Sequence, residues 1–281
     1  MTSLSIADRS FTPNKRAEDL GGSIAGMRAD AIESELLRAL DEGEIEVLFQ
    51  PQFSCRTGAV IGAEALARWR HPALGVLGAN ELFAAAEHAK LLRVVSRHVA
   101  SRALEEAASW PVQLKLSLNI LPDELVDPHF ADDFSSLIEQ SALAPNRLTL
   151  EVTETLLLGN LEQAASALTA LGDLGVRIAL DDFGAGFCNF RYLRELPLDM
   201  IKLDKIMVDH VPDDAKALAV FRAMVQLGRA LELDICAEGI ESETQLTAVQ
   251  SEGCHFWQGF LRSPPIPSDA LVELVRTADA G

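Results

Sequence analysis

Two adjacent carboxylates, Asp181 and Asp182, follow a short apolar run and precede a loop that contains Gly184 and Gly186. A short apolar run bounded by turn residues is typical of a buried parallel strand. Neighbouring like charges disfavour each other's ionisation unless a cation lies between them. The pair therefore indicates a site for divalent metal, although a strand end followed by a solvated Asp-Asp turn explains this stretch equally well.

A third carboxylate, Glu64, lies within an otherwise apolar run from Val60 to Trp69. Burying a charged group is costly unless the group is paired or bound to a metal ion. An ion pair between Glu64 and a base such as Arg68 is the structural alternative to a metal ligand.

Downstream of residue 113, short apolar runs alternate with amphipathic helical segments, and the runs end in polar side chains. This alternation predicts parallel strands, whose right-handed crossovers bring successive strand ends to one face. In a (β/α)₈ barrel, that face carries the chemistry. The polar strand ends that we expect to converge there are Asn119, Glu151, Asp181, Asp182, Lys202, Glu238 and Gln258. The alternative is that these strand ends are polar only because they meet solvent. Lys202 taken alone is equally consistent with a lysine whose ammonium reaches solvent and with a catalytic lysine.

Hydrophobic periodicity and residues that end helices or strands predict further secondary-structure elements. We predict a helix over 28–40, closed at Gly43, with an apolar face formed by Ile32, Leu36, Leu37 and Leu40. A strand over 44–50 is expected to stop at Pro51, and one helix is expected from about 123 to 141. The domain prediction is a flexible tail over 1–27, a linker helix over 28–43 and a barrel domain over 44–281.

Composition limits the function classes. The 24 basic and 42 acidic residues give a formal charge of −18, which is the wrong sign for holding polymeric nucleic acid. A small phosphate ligand stays possible if metal ions screen the acids. The four cysteines form no CxxC pair, which suggests neither a zinc site nor a disulfide framework. We expect a cytoplasmic protein with no membrane attachment of its own.

The segment Glu64-Ala65-Leu66 with Arg68 resembles the signature of the EAL domain, the bacterial family that hydrolyses cyclic di-GMP. The resemblance covers about residues 44–268. The other matching motifs, in order, are Gln50, Asn119, Glu151-Val152-Thr153-Glu154, Asp181-Asp182-Phe183-Gly184, Lys202-Leu203-Asp204, Ala237-Glu238-Gly239-Ile240-Glu241 and Gln258-Gly259-Phe260. It implies an α/β fold, a modified TIM (β/α)₈ barrel with one antiparallel strand.

The resemblance also implies site roles. Two Mg²⁺ or Mn²⁺ ions would be held, the first by Glu64, Asn119, Glu151 and Asp181, the second by Asp181 with Asp182 and Glu238. Oxygen ligands suit these hard cations. Lys202, with Glu64 and Glu238, is the implied catalytic set. The residues implied to seat the dinucleotide are Gln50, Leu66, Arg68, Glu241 and Gln258.

The loop after Asp182 departs from the family pattern. Ala185, Phe187, Cys188-Asn189 and Phe190 replace the usual residues of a loop that, in this family, couples metal occupancy to dimer packing, with Glu154 as its implied anchor. Leu121 and His255 are further departures.

The resemblance implies hydrolysis to linear pGpG, a homodimer and a possible upstream sensor or cyclase-like domain. The alternative function is a receptor that binds cyclic di-GMP without cleaving it and acts through a protein partner.

Overall fold

The computed structural model describes residue 24 and residues 28–153, 161–186 and 190–279. These residues form two compact units. One contains the described residues up to Glu46 together with Arg68–Leu92, and the other contains Val47–Ala67 together with the described residues from Arg93 onward.

Within the described residues, nine strands form one sheet, which closes through a pairing of its first two strands in sequence. The strands are β1 (Ile45–Ser54), β2 (Val60–His71), β3 (Gly75–Leu77), β4 (Lys115–Asn119), β5 (Leu148–Thr153), β6 (Arg177–Phe183), β7 (Met200–Leu203), β8 (Asp234–Ala237) and β9 (Phe256–Gln258). Eight of them make a closed barrel in the order β1-β9-β8-β7-β6-β5-β4-β2, and β3 is an extra strand on β2. The pairings from β2 through β4 to β9 are parallel, whereas β1 runs antiparallel to β9. The predicted modified TIM barrel is therefore confirmed.

From β3 onward, helices connect successive strands, and downstream of residue 113 this agrees with the predicted alternation. The helices are α1 (Ala29–Glu42), α2 (Ala79–His88), α3 (Leu92–Ala108), α4 (Pro122–Leu125), α5 (Phe130–Ser141), α6 (Leu161–Asp173), α7 (Phe190–Glu195), α8 (Lys205–Val208), α9 (Ala215–Ala230), α10 (Glu243–Glu252) and α11 (Ser268–Asp279). None of these helices combines the length and the apolar character that a membrane span needs, as judged over the described residues.

The first helix, α1, ends as predicted, because Gly43 adopts the left-handed conformation (φ 70°) that closes helices. Its buried face differs from the prediction. Ala39 is buried with Ile32 and Leu36, whereas Leu37 is 48 % exposed. At about 100° per residue, position 37 lies well off the face that 32, 36 and 39 share.

The prediction that Pro51 ends the first strand is wrong, because β1 continues to Ser54. Phe49 exchanges both backbone hydrogen bonds with Ile266, and Gln52 is the next residue in register, opposite Gln258. Proline removes a ladder donor. Pro51 lies between these two pairings, so neither of them needs the backbone N–H that proline lacks.

The single helix predicted over 123–141 is instead two helices, α4 and α5. Pro128 lacks a backbone N–H and disfavours helical dihedrals at the residue before it. The carboxylate of Asp127 accepts the N–H of His129 at 2.9 Å, which stabilises the non-helical corner. The Asp127-Pro128 pair was visible in the sequence as a turn signal.

The parallel strands are buried on both faces, as expected of a barrel wall covered by helices. Leu118 on β4 lies in register with Leu150 on β5, and Leu150 with Ile178 on β6. All three are at most 3 % exposed. Gly62 on β2 lies so close to β4 that an added Cβ would stand 2.5 Å from the carbonyl oxygen of Lys115.

Gly62→Ala should destabilise the protein by about 1–3 kcal/mol, because the added methyl group meets backbone that cannot move without separating β2 from β4. Gly172→Ala is the matched control. Gly172 lies in α6, and a methyl group added there would have no described neighbour within 4 Å, so alanine should stabilise by about 0.5–1 kcal/mol. Urea unfolding followed by circular dichroism measures both. Equal midpoints for Gly62→Ala and wild type would contradict the close-packing argument.

Candidate active site

The site is organised around Lys202, which lies on β7 and has 0 % exposed surface. Its Nζ lies 3.2 Å from Glu64, 2.7 Å from Glu151, 3.0 Å from Asp181 and 2.8 Å from Glu238. These acids come from β2, β5, β6 and the residue after β8. The structure therefore brings together the acids and the lysine that the sequence predicted at one mouth of the barrel.

Strand register explains why the first group of residues meets. Glu64 lies in register with Ser117 on β4, two residues before Asn119, and Asn119 lies in register with Glu151 on β5. The Asn119 amide donates from Nδ2 to Glu64 Oε1 at 2.8 Å. The parallel pairings therefore bring Glu64, in the middle of β2, beside Asn119 and Glu151 near the carboxyl ends of β4 and β5.

Asp181 and Asp182 need an irregularity to face the same site, because successive side chains on a regular strand point to opposite faces. The β6–β7 register shifts between Leu180 and Phe183, and Asp182 has φ 54°. Bulges of this kind re-aim side chains next to active sites. Carboxylate oxygens of Asp181, Asp182 and Glu238 consequently lie within 4.8 Å of one another.

The buried acids outnumber the single ammonium among them, and the pKa values reflect this. Burial, reinforced by Glu64, raises the pKa of Glu151 to about 8. Burial also raises the pKa of Asp181, Asp182 and Glu238. The cluster therefore favours added positive charge: protons, or metal ions that displace them.

Glu64 and Lys202 shift in the direction of their charged forms. Burial works against the Glu64 carboxylate, but Lys202 and the hydrogen bonds from Gln258 and Asn119 outweigh it and lower the pKa of Glu64. Burial also opposes the Lys202 ammonium, but the surrounding carboxylates raise its pKa well above its usual value. Lys202 is thus held as a cation in this arrangement.

The residues fit divalent metal. Two groups of carboxylates have ligand atoms within 4.8 Å of one another, Glu64 with Glu151 and Asp181, and Asp181 with Asp182 and Glu238. One buried oxygen, Glu151 Oε1, has no hydrogen-bond partner among the described residues, whereas Asp181 Oδ1 has Lys202 Nζ as an ion-pair partner at 3.0 Å. Buried carboxylate oxygens left without a donor are well suited to hard cations.

A second layer of amides supports the acids. Gln258 donates from Nε2 to Glu64 Oε2 at 2.7 Å and to Glu238 Oε1 at 2.8 Å. Gln52 donates from its own Nε2 to Gln258 Oε1 at 3.1 Å and to Ser117 Oγ at 3.3 Å. Sequence reasoning missed Gln52 and Ser117. Strand alternation could have indicated Gln52, because it is two residues from Gln50 and therefore on the same face of β1.

The residues predicted to seat a ligand have varied surroundings. Gln50 is buried at 5 % exposure and donates to the backbone carbonyl of Ser263 at 2.7 Å. Leu66 and Arg68 lie two and four residues after Glu64 on β2, and both are half-buried. Glu241 is exposed and pairs with Lys205 at 2.6 Å. Their substrate roles stay predictions.

The family departures fall partly within the described residues. Glu154, Phe187 and Cys188-Asn189 lie outside them. His255 accepts the backbone N–H of Ile235 at its Nδ1 at 2.9 Å, and the backbone N–H of Leu121 donates to Glu124. Both departures therefore take part in local backbone structure rather than in the acid cluster.

Comparison with known proteins places this site in a family. A family model described as "EAL domain" matches residues 33–265. The Pseudomonas aeruginosa protein named cyclic di-GMP phosphodiesterase RocR is 32 % identical over 265 residues, covering 92 % of this chain and 67 % of RocR. The cyclic di-GMP phosphodiesterase NbdA of the same organism is 34 % identical over 249 residues, covering 87 % of this chain and 32 % of NbdA.

A solved structure titled "PaMucR Phosphodiesterase, c-di-GMP complex" superposes with a TM-score of 0.80 at 30 % identity, covering 86 % of this chain and 99 % of that one. The chain spans about 30 to 40 % of the length of the first curated relatives that it matches. Sequence, fold and the arrangement of acids agree, and the chain belongs to the EAL domain family.

Proposed function

We propose that this chain is a divalent-metal-dependent phosphodiesterase that hydrolyses cyclic di-GMP to linear pGpG in the cytoplasmic second-messenger signalling of bacteria. The observation that carries the proposal is the cluster of acids around Lys202. It contains the full set of ligands and the lysine that the family resemblance assigned, gathered at one mouth of the barrel. RocR and NbdA, which carry the phosphodiesterase name, support the same reaction class.

Charge supports a metal requirement. The substrate carries two phosphodiester anions, and the chain has a formal charge of −18. Without added cations, the acid cluster would repel the phosphates. Glu64, Asn119, Glu151 and Asp181 would hold a first ion, and Asp181, Asp182 and Glu238 a second. When bound, a pair of Mg²⁺ or Mn²⁺ ions would lower the pKa of a shared water and offset the charge on the attacked phosphate.

Lys202 is proposed to act as a cation beside the attacking water. Its ammonium is held by the surrounding carboxylates, whose combined charge raises its pKa. A protonated lysine donates hydrogen bonds and offsets negative charge, so in this arrangement charge stabilisation suits Lys202 better than proton abstraction. Water attacks one phosphorus atom, one ester P–O bond breaks, and the released ribose oxygen takes a proton.

The ligand would be seated by Gln50, Leu66, Arg68, Glu241 and Gln258. Arg68 would hold a phosphate oxygen through its guanidinium group. Glu241 pairs with Lys205 in this structure, so ligand binding would involve exchanging that ion pair. The proposed partners are a second copy of the chain and an upstream sensor or cyclase-like domain, the latter because the chain spans about 30 to 40 % of the first curated relatives that it matches.

Glu64→Ala and Lys202→Ala should each lower the turnover of cyclic di-GMP by about 10²- to 10⁴-fold, because one removes a metal ligand and the other the central cation. Purified protein is incubated with cyclic di-GMP and Mg²⁺ or Mn²⁺, and pGpG is quantified by chromatography. Glu243→Gln is the matched surface control, because Glu243 is an exposed acid that pairs with Arg262 away from the cluster.

Metal-dependent pGpG from the wild type and the surface control, but not from the two site variants, supports the enzyme. If the dinucleotide stays intact with either metal while calorimetry still shows binding, the phosphodiesterase proposal fails. The chain would then be the receptor that the sequence left as the alternative.

Without metal, the protein should lose stability as the pH rises from about 5 to about 8. Native Glu151, with a pKa of about 8, keeps its proton in this range, whereas the unfolded carboxyl has lost it. The native state therefore binds more protons, and the free energy of unfolding falls by about 1.4 kcal/mol per pH unit for each such group. Saturating Mg²⁺ or Mn²⁺ should raise the melting temperature more at pH 8 than at pH 5, because the ions bind deprotonated ligands.

Glu151→Gln is the control for this pH dependence, because it removes the titrating carboxyl and keeps the side-chain shape. Thermal unfolding in chelator across pH 5–8 should show a flatter curve for this variant than for the wild type. Parallel curves would contradict the assignment of the effect to the acid cluster.

A further inference from the structure

We infer that Gln52 is a positioning residue for the metal-binding acids: it orients the amide of Gln258, and that amide spaces Glu64 and Glu238. The inference rests on the proposed metal-dependent function and assigns a role to a residue on the antiparallel strand. Gln52 lies directly opposite Gln258 in the β1–β9 register. Both side chains are buried, at 6 % and 7 % exposure.

The Gln258 amide has two distinct ends with opposite hydrogen-bonding character. Its NH₂ group donates to Glu64 at 2.7 Å and to Glu238 at 2.8 Å, one acid from each carboxylate group. Its oxygen accepts from Gln52 at 3.1 Å. A primary amide has two donor hydrogens and one acceptor oxygen, so this orientation uses both hydrogens on carboxylates and the oxygen on a donor.

The reversed orientation of this amide would be unfavourable on both sides. Rotation by 180° would turn the oxygen of Gln258 toward two carboxylates and its NH₂ group toward the NH₂ group of Gln52. The two carboxylates and the donor on Gln52 therefore favour the same orientation. The Nε2 of Gln52 also donates to Oγ of the buried Ser117 at 3.3 Å, so both of its donor hydrogens have partners.

The contacts that run from Gln52 through Gln258 to the two acids bear on the affinity for metal. Groups that hydrogen-bond to metal ligands orient them, and their loss typically lowers metal affinity or activity by 10- to 100-fold. Gln258 contacts Glu64 in the first carboxylate group and Glu238 in the second, so its orientation fixes the distance between the two groups. Gln52 donates to Gln258 and Ser117, and it therefore acts on the two acids through Gln258.

The test is a double-variant cycle read by isothermal titration calorimetry with Mn²⁺ alone. Gln52→Leu removes the donor and should weaken Mn²⁺ binding about 10- to 100-fold. Gln258→Leu should weaken it at least as much. In the Gln258→Leu background, Gln52→Leu should add no more than about a twofold loss, because residues that act through one contact are not additive. Gln250→Leu is the control, an exposed glutamine of α10 whose amide bonds to the backbone carbonyl of Cys55.

Turnover gives a second readout. High Mn²⁺ should restore most of the rate of Gln52→Leu, and circular dichroism of that variant without metal should match the wild type, which separates weakened metal binding from a general loss of folding. Gln52→Met, which also lacks the donor but is more flexible, replaces Gln52→Leu if that variant does not fold. Wild-type Mn²⁺ affinity in the donor-lacking variant, or losses that multiply in the double variant, would overturn the inference.

Failure of this inference is distinguishable from failure of the proposed function, because calorimetry requires no turnover. A wild type that binds Mn²⁺ and leaves cyclic di-GMP intact contradicts the phosphodiesterase, while weakened binding in Gln52→Leu still supports the positioning role. An active phosphodiesterase whose Gln52→Leu variant binds Mn²⁺ normally keeps the function and overturns the role. If the wild type binds no Mn²⁺, the positioning role is overturned as well.

Discussion

The interaction on which the site depends is the burial of one ammonium among several carboxylates. Lys202 is fully buried and lies within 3.2 Å of four acids. A lone buried lysine would lose its proton to escape desolvation, and four buried acids without it would repel each other. Burying the lysine and the acids together offsets both the desolvation of the cation and the repulsion among the anions, because the opposite charges stabilise one another. The acids remain in excess, however, and that excess is what makes the cluster receptive to further cations.

The barrel is the reason that such a costly arrangement can be built. Each acid lies on, or directly after, a different strand, and the parallel register fixes the level at which each side chain projects. Ala179, Met200 and Cys236 form a buried apolar cluster on the same strand face, two residues before Asp181, Lys202 and Glu238, so the cluster stands on a packed core. Rigid strands hold a preorganised site more accurately than loops do. The energy that electrostatic repulsion costs is offset by hydrophobic burial elsewhere in the same strands.

The sequence predicted the convergence of the acids because that depends on topology alone, and alternating strands and helices specify topology. It did not predict Gln52, because a glutamine two residues after Gln50 gains its role from a partner more than two hundred residues away. The continuation of β1 past Pro51 also depends on distant partners, namely Ile266 and Gln258. By contrast, the break at Asp127-Pro128 is local: the turn chemistry of this pair overrides the helical periodicity of the segment.

The convergence of the Asp181 and Asp182 side chains depends on a local irregularity of β6. Adjacent acids on a regular strand could not both reach one site, so the sequence alone left a solvated turn as an equal explanation. The register shift and the left-handed backbone of Asp182 bring carboxylate oxygens of both residues within 4.8 Å of one another and of Glu238. A non-glycine residue in that conformation costs about 1 kcal/mol or more, and such strain persists where the surrounding structure fixes it. Here the shared position of Asp181, which belongs to both carboxylate groups, requires its neighbour to turn toward the same mouth. The strain and the excess negative charge therefore have one origin, which is the placement of three carboxylates with oxygens within 4.8 Å of one another.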